Sequence, residues 1–487
     1  MTETDTFPAS ATAVRAAGAV RAVVVGGGLA GMLAVAALRE AAGEILVVEP
    51  DELPAGAAPR RGLPQADHVH LLWSGGVDAA ESLLPGVTDA WLAAGARRIP
   101  VPTDVLALSS QGWMRRWERD SHYLIACSRD LLDAVVRRRV LGPGGGHGGG
   151  VTVVGGARVV GLLGDARRVT GVVVRHNDGS EEKVEADFVV DASGRSSRTP
   201  RHLAELGAGP VPERVVDAGL VYASRRFRAP AGAGRFPVVS VSADARCGRP
   251  GQSANLLPIE NGQWLVTASG TRGGEPGRTA EEFEPFLRSL RHPIIADLTA
   301  DLEPLSGVTV NRSTRNLRHY YEKARIWPER FVVLGDAVAV YNPLYGHGMA
   351  VAAQGAAALR GRLAAGGITA PRLARRVQRD VARHVTPAWS MATGQDVFYP
   401  GATGGPPGSV DRLAARYTDR MLRTAAGSYL VMRKFTDVTA LHAPLHRLMG
   451  PTAVLGTALG PRRPPLSGPP LTPGERALLR DTPGVRR

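Results

Sequence analysis

The chain is poor in cysteine, in aromatic residues and in long apolar stretches. Two cysteines in 487 residues, Cys127 and Cys247, exclude a disulfide framework and a complete cysteine metal site, so no metal is expected and a reducing cytoplasm is the expected compartment. Both are expected to be buried as small hydrophobes. Aromatic residues make up only 5% of the chain, and rings do not alternate with basic residues in the pattern that stacks nucleobases. No run approaches the ~20 apolar residues of a membrane-crossing helix, and the first twenty residues lack an apolar stretch behind a basic start. Neither a transmembrane segment nor a signal peptide is expected.

What the chain has in excess is positive charge, 59 Lys and Arg against 45 Asp and Glu, for a formal charge of +14. The basic residues are mostly arginines scattered singly, with short clusters such as Arg137 to Arg139. A diffuse positive field of this kind attracts small anionic ligands and does not call for a nucleic acid partner. The hydrophobic content of 44% supplies extensive cores for two or more compact units.

Residues 1–20 have no apolar periodicity and are expected to be a frayed tail. Structure is predicted to begin at Arg21, with a strand at Ala22 to Val25, a helix at Met32 to Ala42 closed by Gly43, and a second strand at Ile45 to Val48. The glycines between 142 and 150 read as a flexible connector. Strands at Val151 to Val154, Val169 to Val174 and Lys183 to Val190 suggest a β-meander. Between Asp217 and Val310 strand-like pieces at 220–227, 236–241 and 264–268 alternate with a helix at 280–290. After Asp336 the pattern turns helical, over 350–383 and 410–448, with breaks at Pro371 and Pro444. A last helix is predicted after Thr472, with Pro473 at its first position and Glu475 closing a capping box. The expected organisation is therefore a nucleotide-binding unit in two parts, 21–210 and 316–365. A substrate-binding sheet at 211–315 lies between them, and a helical region at 366–487 follows.

The chemistry is carried by two segments. Gly26, Gly27, Gly28, Leu29, Ala30 and Gly31 stand between a strand and a helix. Gly26 permits a tight turn, Gly28 lets the backbone approach a pyrophosphate, Gly31 allows close helix packing, and the helix N-terminus offers free N–H groups to phosphate. Glu49, eighteen residues beyond Gly31 and at the end of the next strand, suits the ribose hydroxyls of an adenosine. The second segment runs from Phe331 to Gly335 and Asp336, then through Asn342, Pro343, Leu344, Tyr345, Gly346, His347, Gly348 and Met349 into an alanine-rich helix. Its Asp can accept from ribityl hydroxyls, and its Pro and Gly loop can bring a helix N-terminus to an isoalloxazine ring. Together they read as an FAD site.

These motifs resemble those of the class A flavoprotein monooxygenases, which have the p-hydroxybenzoate hydroxylase fold. The resemblance spans nearly the whole chain and implies an α/β architecture. A Rossmann-like FAD-binding domain would carry an inserted mixed β-sheet substrate domain and a C-terminal helical region. It places the family's middle Asp-Gly segment at Asp191 to Arg198 and its pyrophosphate-binding arginine at Arg129. Within that group Arg61 to Trp73, Ala93 to Arg97 and Asn342 to Met349 are similar to the actinobacterial polyether epoxidases, such as the monensin epoxidase. On this resemblance Arg61 and Met349 join Gly26, Gly28, Leu29, Ala30, Gly31, Glu49, Arg129, Gly335, Asp336 and Gly348 as cofactor-binding residues. His68 and His70 lie in the same stretch, where they are expected to share one face of a strand without a third metal ligand.

The chemistry implied is oxygen transfer from a flavin hydroperoxide to an alkene of a small hydrophobic polyketide, with NAD(P)H as reductant. No side-chain catalyst is needed. Pro343, Gly346 and Gly348 are the expected flavin-facing loop, and Tyr222, Phe227 and Trp264 the expected substrate lining. Three positions depart from the hydroxylase pattern. Ser193 stands where those enzymes have Asp, which puts nicotinamide recognition in doubt, and Ala339 and Met349 replace a common His and Asn. Ser193 favours the alternative of a non-redox cyclase of the same fold, which holds FAD structurally and directs a [4+2] cycloaddition of a polyene. A reductase acting on prenyl lipids fits less well, since no membrane-binding segment is apparent.

Overall fold

The computed structural model describes residues 19–142, 150–312 and 314–480. The expected N-terminal tail up to residue 18, and the glycine connector at 143–149, lie outside the described residues.

Five short strands rich in valine form a parallel sheet in the order Phe331–Val333, Phe188–Asp191, Arg21–Val25, Glu44–Val48, Gly150–Val154. Strands buried on both faces read as largely apolar runs, and the first four do, while the edge strand Gly150–Val154 is only partly buried. The register aligns their carboxyl ends: Val25 pairs with both Val48 and Asp191, and Asp191 pairs with Val333. The glycine loop, Glu49, the Asp191 segment and the Gly335–Asp336 segment therefore leave the sheet along one edge. Open α/β sheets bind ligands at that edge.

The helix Leu29–Leu38, rich in small residues, packs on the sheet, and Gly348–Gly366 packs against that helix and against Leu373–Asp396, which reaches the Phe331–Val333 strand. Leu33, Leu38, Val332 and Leu359 are fully buried in the shared core. A three-stranded meander (Ala157–Gly164, Val169–His176, Glu181–Glu185) is appended. The strand at 150–154 does not belong to it, as the sequence had suggested, but extends the parallel sheet. The predicted strand at 183–190 divides in two, because Ala186 and Asp187 carry the chain from the meander into the sheet.

The middle of the chain forms a seven-stranded sheet in the order Thr309–Asn311, Val221–Arg228, Gln263–Gly270, Gln252–Ile259, Val238–Val241, Val105–Ser109, Gly112–Trp113. Its last two strands come from the first hundred residues or so of the chain and were not foreseen. Helices Ala280–Ser289 and Ile294–Thr299 cover one face, where Phe227, Phe236, Trp264 and Phe283 are buried.

The C-terminal region contains the helices Leu373–Asp396, Ser409–Gly427, Tyr429–Thr439 and Pro451–Leu459. The expected break near Pro371 lies between the Gly348–Gly366 and Leu373–Asp396 helices. The second helical stretch breaks at Ser428, well before Pro444, while Pro387 is held inside a helix. The final helix, Pro473–Arg480, has its capping box: Thr472 N–H donates to Glu475 at 2.8 Å and Glu475 N–H to the Thr472 hydroxyl at 3.3 Å.

Candidate functional site

A cavity of about 740 Å³ runs from the glycine loop to the seven-stranded sheet. At one end the Arg21–Val25 strand turns at Gly26, where φ is +98°, a conformation that side chains other than glycine rarely adopt. A Cβ on Gly31 would lie 1.8 Å from the Gly26 carbonyl oxygen, so the following helix can seat on the loop only with glycine there. A Cβ on Gly28 would meet nothing within 4 Å, because it would stand in the cavity. That open cradle, with the first turn of the helix at Leu29 and Ala30 beside it, fits a pyrophosphate.

Glu49 is buried at the end of the second strand. Its carboxylate accepts from Gly27 N–H at 2.5 Å and from Asp51 N–H at 3.1 Å, and pairs with the Arg60 guanidinium at 2.8 Å. This holds it at the cavity wall, in position for ribose hydroxyls. Arg60 lines the cavity; Arg61, the residue named from the sequence, is exposed and does not. The chain turns between the two, so adjacent side chains face opposite ways. Arg129 opens the helix Arg129–Leu141, which is capped by the Ser128 hydroxyl, and projects to the cavity while bonded to Asp133 at 2.8 Å.

The strand Phe331–Val333 delivers Gly335 (φ +63°) and Asp336. Burial raises the Asp336 carboxyl above its ordinary range, against the opposing pull of Arg195 and Arg129. A desolvated carboxylate of this kind gains from hydroxyl donors, as a ribityl chain would supply. Beyond it Pro343, Gly346, Gly348 and Met349 all line the cavity. Gly348 begins the helix Gly348–Gly366, whose free N–H groups face the same space. The loop is anchored by Asn342. It accepts from the Tyr222 hydroxyl at 2.9 Å and donates to the Asp396 carboxylate at 3.0 and 3.1 Å, while Asn316 donates to that carboxylate at 2.7 Å. Burial raises Asp396 to about 6.

Of the three aromatic residues expected to line a substrate site, only Tyr222 does. Phe227 and Trp264 sit across the sheet in the core under its helices, with Trp264 against Phe236 at 5.0 Å. The alternation of a strand explains this: 222 and 224 face the cavity side, 223 and 227 the other. His68 and His70 both line the cavity but precede the strand Leu71–Trp73 and do not share its face. Among the described residues no cluster suited to a metal ion is present. Cys127 is buried as expected; Cys247 is exposed in a loop, its thiol donating to the Asp244 carbonyl.

The sequence did not point to Asp191 as a hub. It accepts from Ser193 N–H and hydroxyl (2.8 and 2.5 Å), from Ser197 (2.6 Å) and from Thr199. The serine and threonine spacing after the Asp was the available signal.

An open glycine cradle at one end of a parallel sheet, sharing its cavity with a buried Asp from a distant segment, fits an FAD-binding flavoprotein. The family model for an FAD binding domain matches residues 145–370, and that for an FAD dependent oxidoreductase matches residues 22–197. The chain belongs to the same family as Protein Rv3254 of Mycobacterium tuberculosis (strain ATCC 25618 / H37Rv), with 31% identity over 440 residues, 86% of this chain and 90% of that protein.

Among solved structures it is similar to the flavin-dependent brominase Bmp2 (14% identity, 90% of this chain and 97% of that one, TM-score 0.61). The Diels-Alderase PyrE3 of pyrroindomycin biosynthesis matches at 16% identity, 86% and 80% coverage and TM-score 0.57. PqsL of Pseudomonas aeruginosa, described as a probable FAD-dependent monooxygenase, matches at 19% identity, 77% and 96% coverage and TM-score 0.56. At these identities the likeness is one of fold. No helix among the described residues is long and apolar enough to cross a membrane.

Proposed function

We propose that the protein is an FAD-dependent monooxygenase, an epoxidase or hydroxylase, acting on an apolar polyene or polyketide in the cytoplasm. One observation carries this reading: a single cavity joins the dinucleotide cradle to the sheet face bearing Tyr222. A molecule resting on that face would abut the loop of Pro343, Gly346 and Gly348.

When bound, FAD supplies the redox centre that takes hydride from NAD(P)H and activates O2. The chain's own residues bind and orient. Gly28, Leu29 and Ala30 receive the pyrophosphate with Arg129 nearby, Glu49 accepts from the ribose, and Asp336 accepts from the ribityl chain. The N-terminus of the helix at Gly348 offers partial positive charge to developing negative charge on the ring. Leu71, Tyr222 and Met349 exclude water from the reacting end. Resemblance to the polyether epoxidases supports an alkene as the oxygen acceptor.

A second reading, a non-redox cyclase that holds a polyene folded for a [4+2] cycloaddition, is favoured by Ser193. Its hydroxyl is committed to Asp191 at 2.5 Å at the position where hydroxylases carry an Asp, and the fold is shared with PyrE3. The two readings separate when purified yellow protein is mixed with NADPH or NADH in air and a linear polyene is added. Rapid flavin bleaching with nucleotide consumption supports oxygenation. Turnover of the polyene while the flavin stays oxidised overturns it in favour of the cyclase.

A further inference from the structure

His68 is buried, lines the cavity, and is tied to the seven-stranded sheet by a chain of hydroxyls. Val69 N–H donates to Thr267 Oγ1 at 2.8 Å, Thr267 Oγ1 and Ser224 Oγ are 2.6 Å apart, and Ser224 Oγ lies 2.7 Å from His68 Nδ1. Only one direction of donation uses every hydrogen. Thr267 donates to Ser224, and Ser224 donates to His68 Nδ1. In the reverse direction the Thr267 hydroxyl hydrogen is buried with no acceptor among the described residues, an unmade bond that proteins avoid. The ring must therefore carry its proton on Nε2, directed away from Ser224, and that Nε2 is buried with no hydrogen-bond partner among the described residues. Burial pushes the imidazole down to about 4, so the ring is neutral near pH 7.

The neighbouring His70 has the opposite arrangement, its Nδ1 donating to the His68 carbonyl at 2.8 Å. The surroundings of His68 belong to the sheet: its ring is 5.7 Å from that of Tyr222, whereas the dinucleotide cradle is built by other elements.

We propose that His68 presents its Nε2–H as a hydrogen-bond donor to an oxygen, a carbonyl or hydroxyl, on the otherwise apolar molecule that fills the cavity. The substrate is then a polyene bearing an oxygen handle, fixed in register by one buried donor, with the hydroxyl chain setting the tautomer. This rests on the reading of the cavity as a substrate chamber. It does not depend on the reaction, because the test uses oxidised holoprotein without reductant.

The probes are β-ionone, an apolar polyene ketone, and the hydrocarbon lacking its carbonyl. Binding is followed by the visible spectrum of the flavin, and the tautomer by long-range proton–nitrogen NMR of histidine-labelled holoprotein. Wild type is expected to show the Nε2–H form of His68, to bind the ketone roughly three- to tenfold more tightly than the hydrocarbon, and to lower the bound C=O stretching frequency. His68→Phe is expected to abolish the preference and the frequency shift while leaving hydrocarbon affinity in place. His68→Gln, which retains an amide donor, keeps part of both. Ser224→Ala leaves the ring in place but releases the tautomer and weakens the preference.

An Nδ1–H tautomer in wild type overturns the proposal. So does equal affinity for the two probes, the absence of binding by either included. A His68 signal that moves on FAD loading and not on ketone addition assigns the donor to the flavin and also overturns it.

Discussion

At the scale of single residues the cavity wall depends on partners held a few ångströms behind it. Glu49 is positioned by Gly27, Asp51 and Arg60. Glu49→Gln keeps the shape but loses charge-assisted bonds worth about 1.5–3 kcal/mol. FAD titration of the apoprotein is therefore expected to show an affinity lower by roughly ten- to a hundredfold. His347 is buried, its Nε2 donating to the Thr439 carbonyl at 2.9 Å, and burial lowers it from 6.5 to about 4. A depressed value makes a stability contribution that is full above the unfolded value and is lost as the folded protein is carried down through about 4. Denaturation midpoints between pH 6.5 and 4 should fall less steeply in His347→Asn than in wild type, by up to one proton or about 1.4 kcal/mol per pH unit. The residue types at these places were legible from sequence; their directions were not always. Tyr222 and Phe227 look alike in the sequence, yet an odd spacing on one strand sends one to the cavity and the other to the core. Arg60 and Arg61 differ only in which way a loop happens to turn.

At the scale of elements the site is an alignment of strand ends. Strand, glycine loop, helix and acid were readable because each carries a local requirement: a turn at Gly26, a contact at Gly31, a carboxylate at a strand terminus. Gly31→Ala would drive a methyl group into the Gly26 carbonyl oxygen. It is expected to displace the helix N-terminus and lower FAD affinity at least about tenfold, or to yield colourless protein, as read from flavin content after purification. The loop at 342–346 is held from three directions by Asn342. Asn342→Ala strips Asp396 of two of the bonds it accepts and leaves the Tyr222 hydroxyl without its acceptor. The expected loss is about 2–4 kcal/mol in chemical denaturation. Less legible were elements whose partners are remote. The strands Val105–Ser109 and Gly112–Trp113 join a sheet built mostly from residues beyond 220, and the strand at 150–154 inserts beside Glu44–Val48. Such placements follow from long-range pairing energy, which leaves no mark in local periodicity.

At the scale of the whole molecule the parallel sheet brings the proposed binding groups at positions 26–31, 49 and 336 to one edge, and the helix Arg129–Leu141 adds Arg129 to the same cavity. Free FAD at a hundred times its dissociation constant is expected to stabilise the apoprotein by about 2.7 kcal/mol. The melting temperature should therefore rise with added FAD, and flavin fluorescence should appear together with unfolding as the cofactor is released. The same geometry has an outcome during synthesis. A chain still attached to the ribosome and lacking everything beyond residue 330 has the residues proposed for the adenosine half and none of those proposed for the ribityl half. Arrested chains of that length should emerge without pigment, whereas chains carried through the helix at Gly348–Gly366 should acquire it. Colour would then be a late event in the life of the chain, and a record that its two distant portions have met.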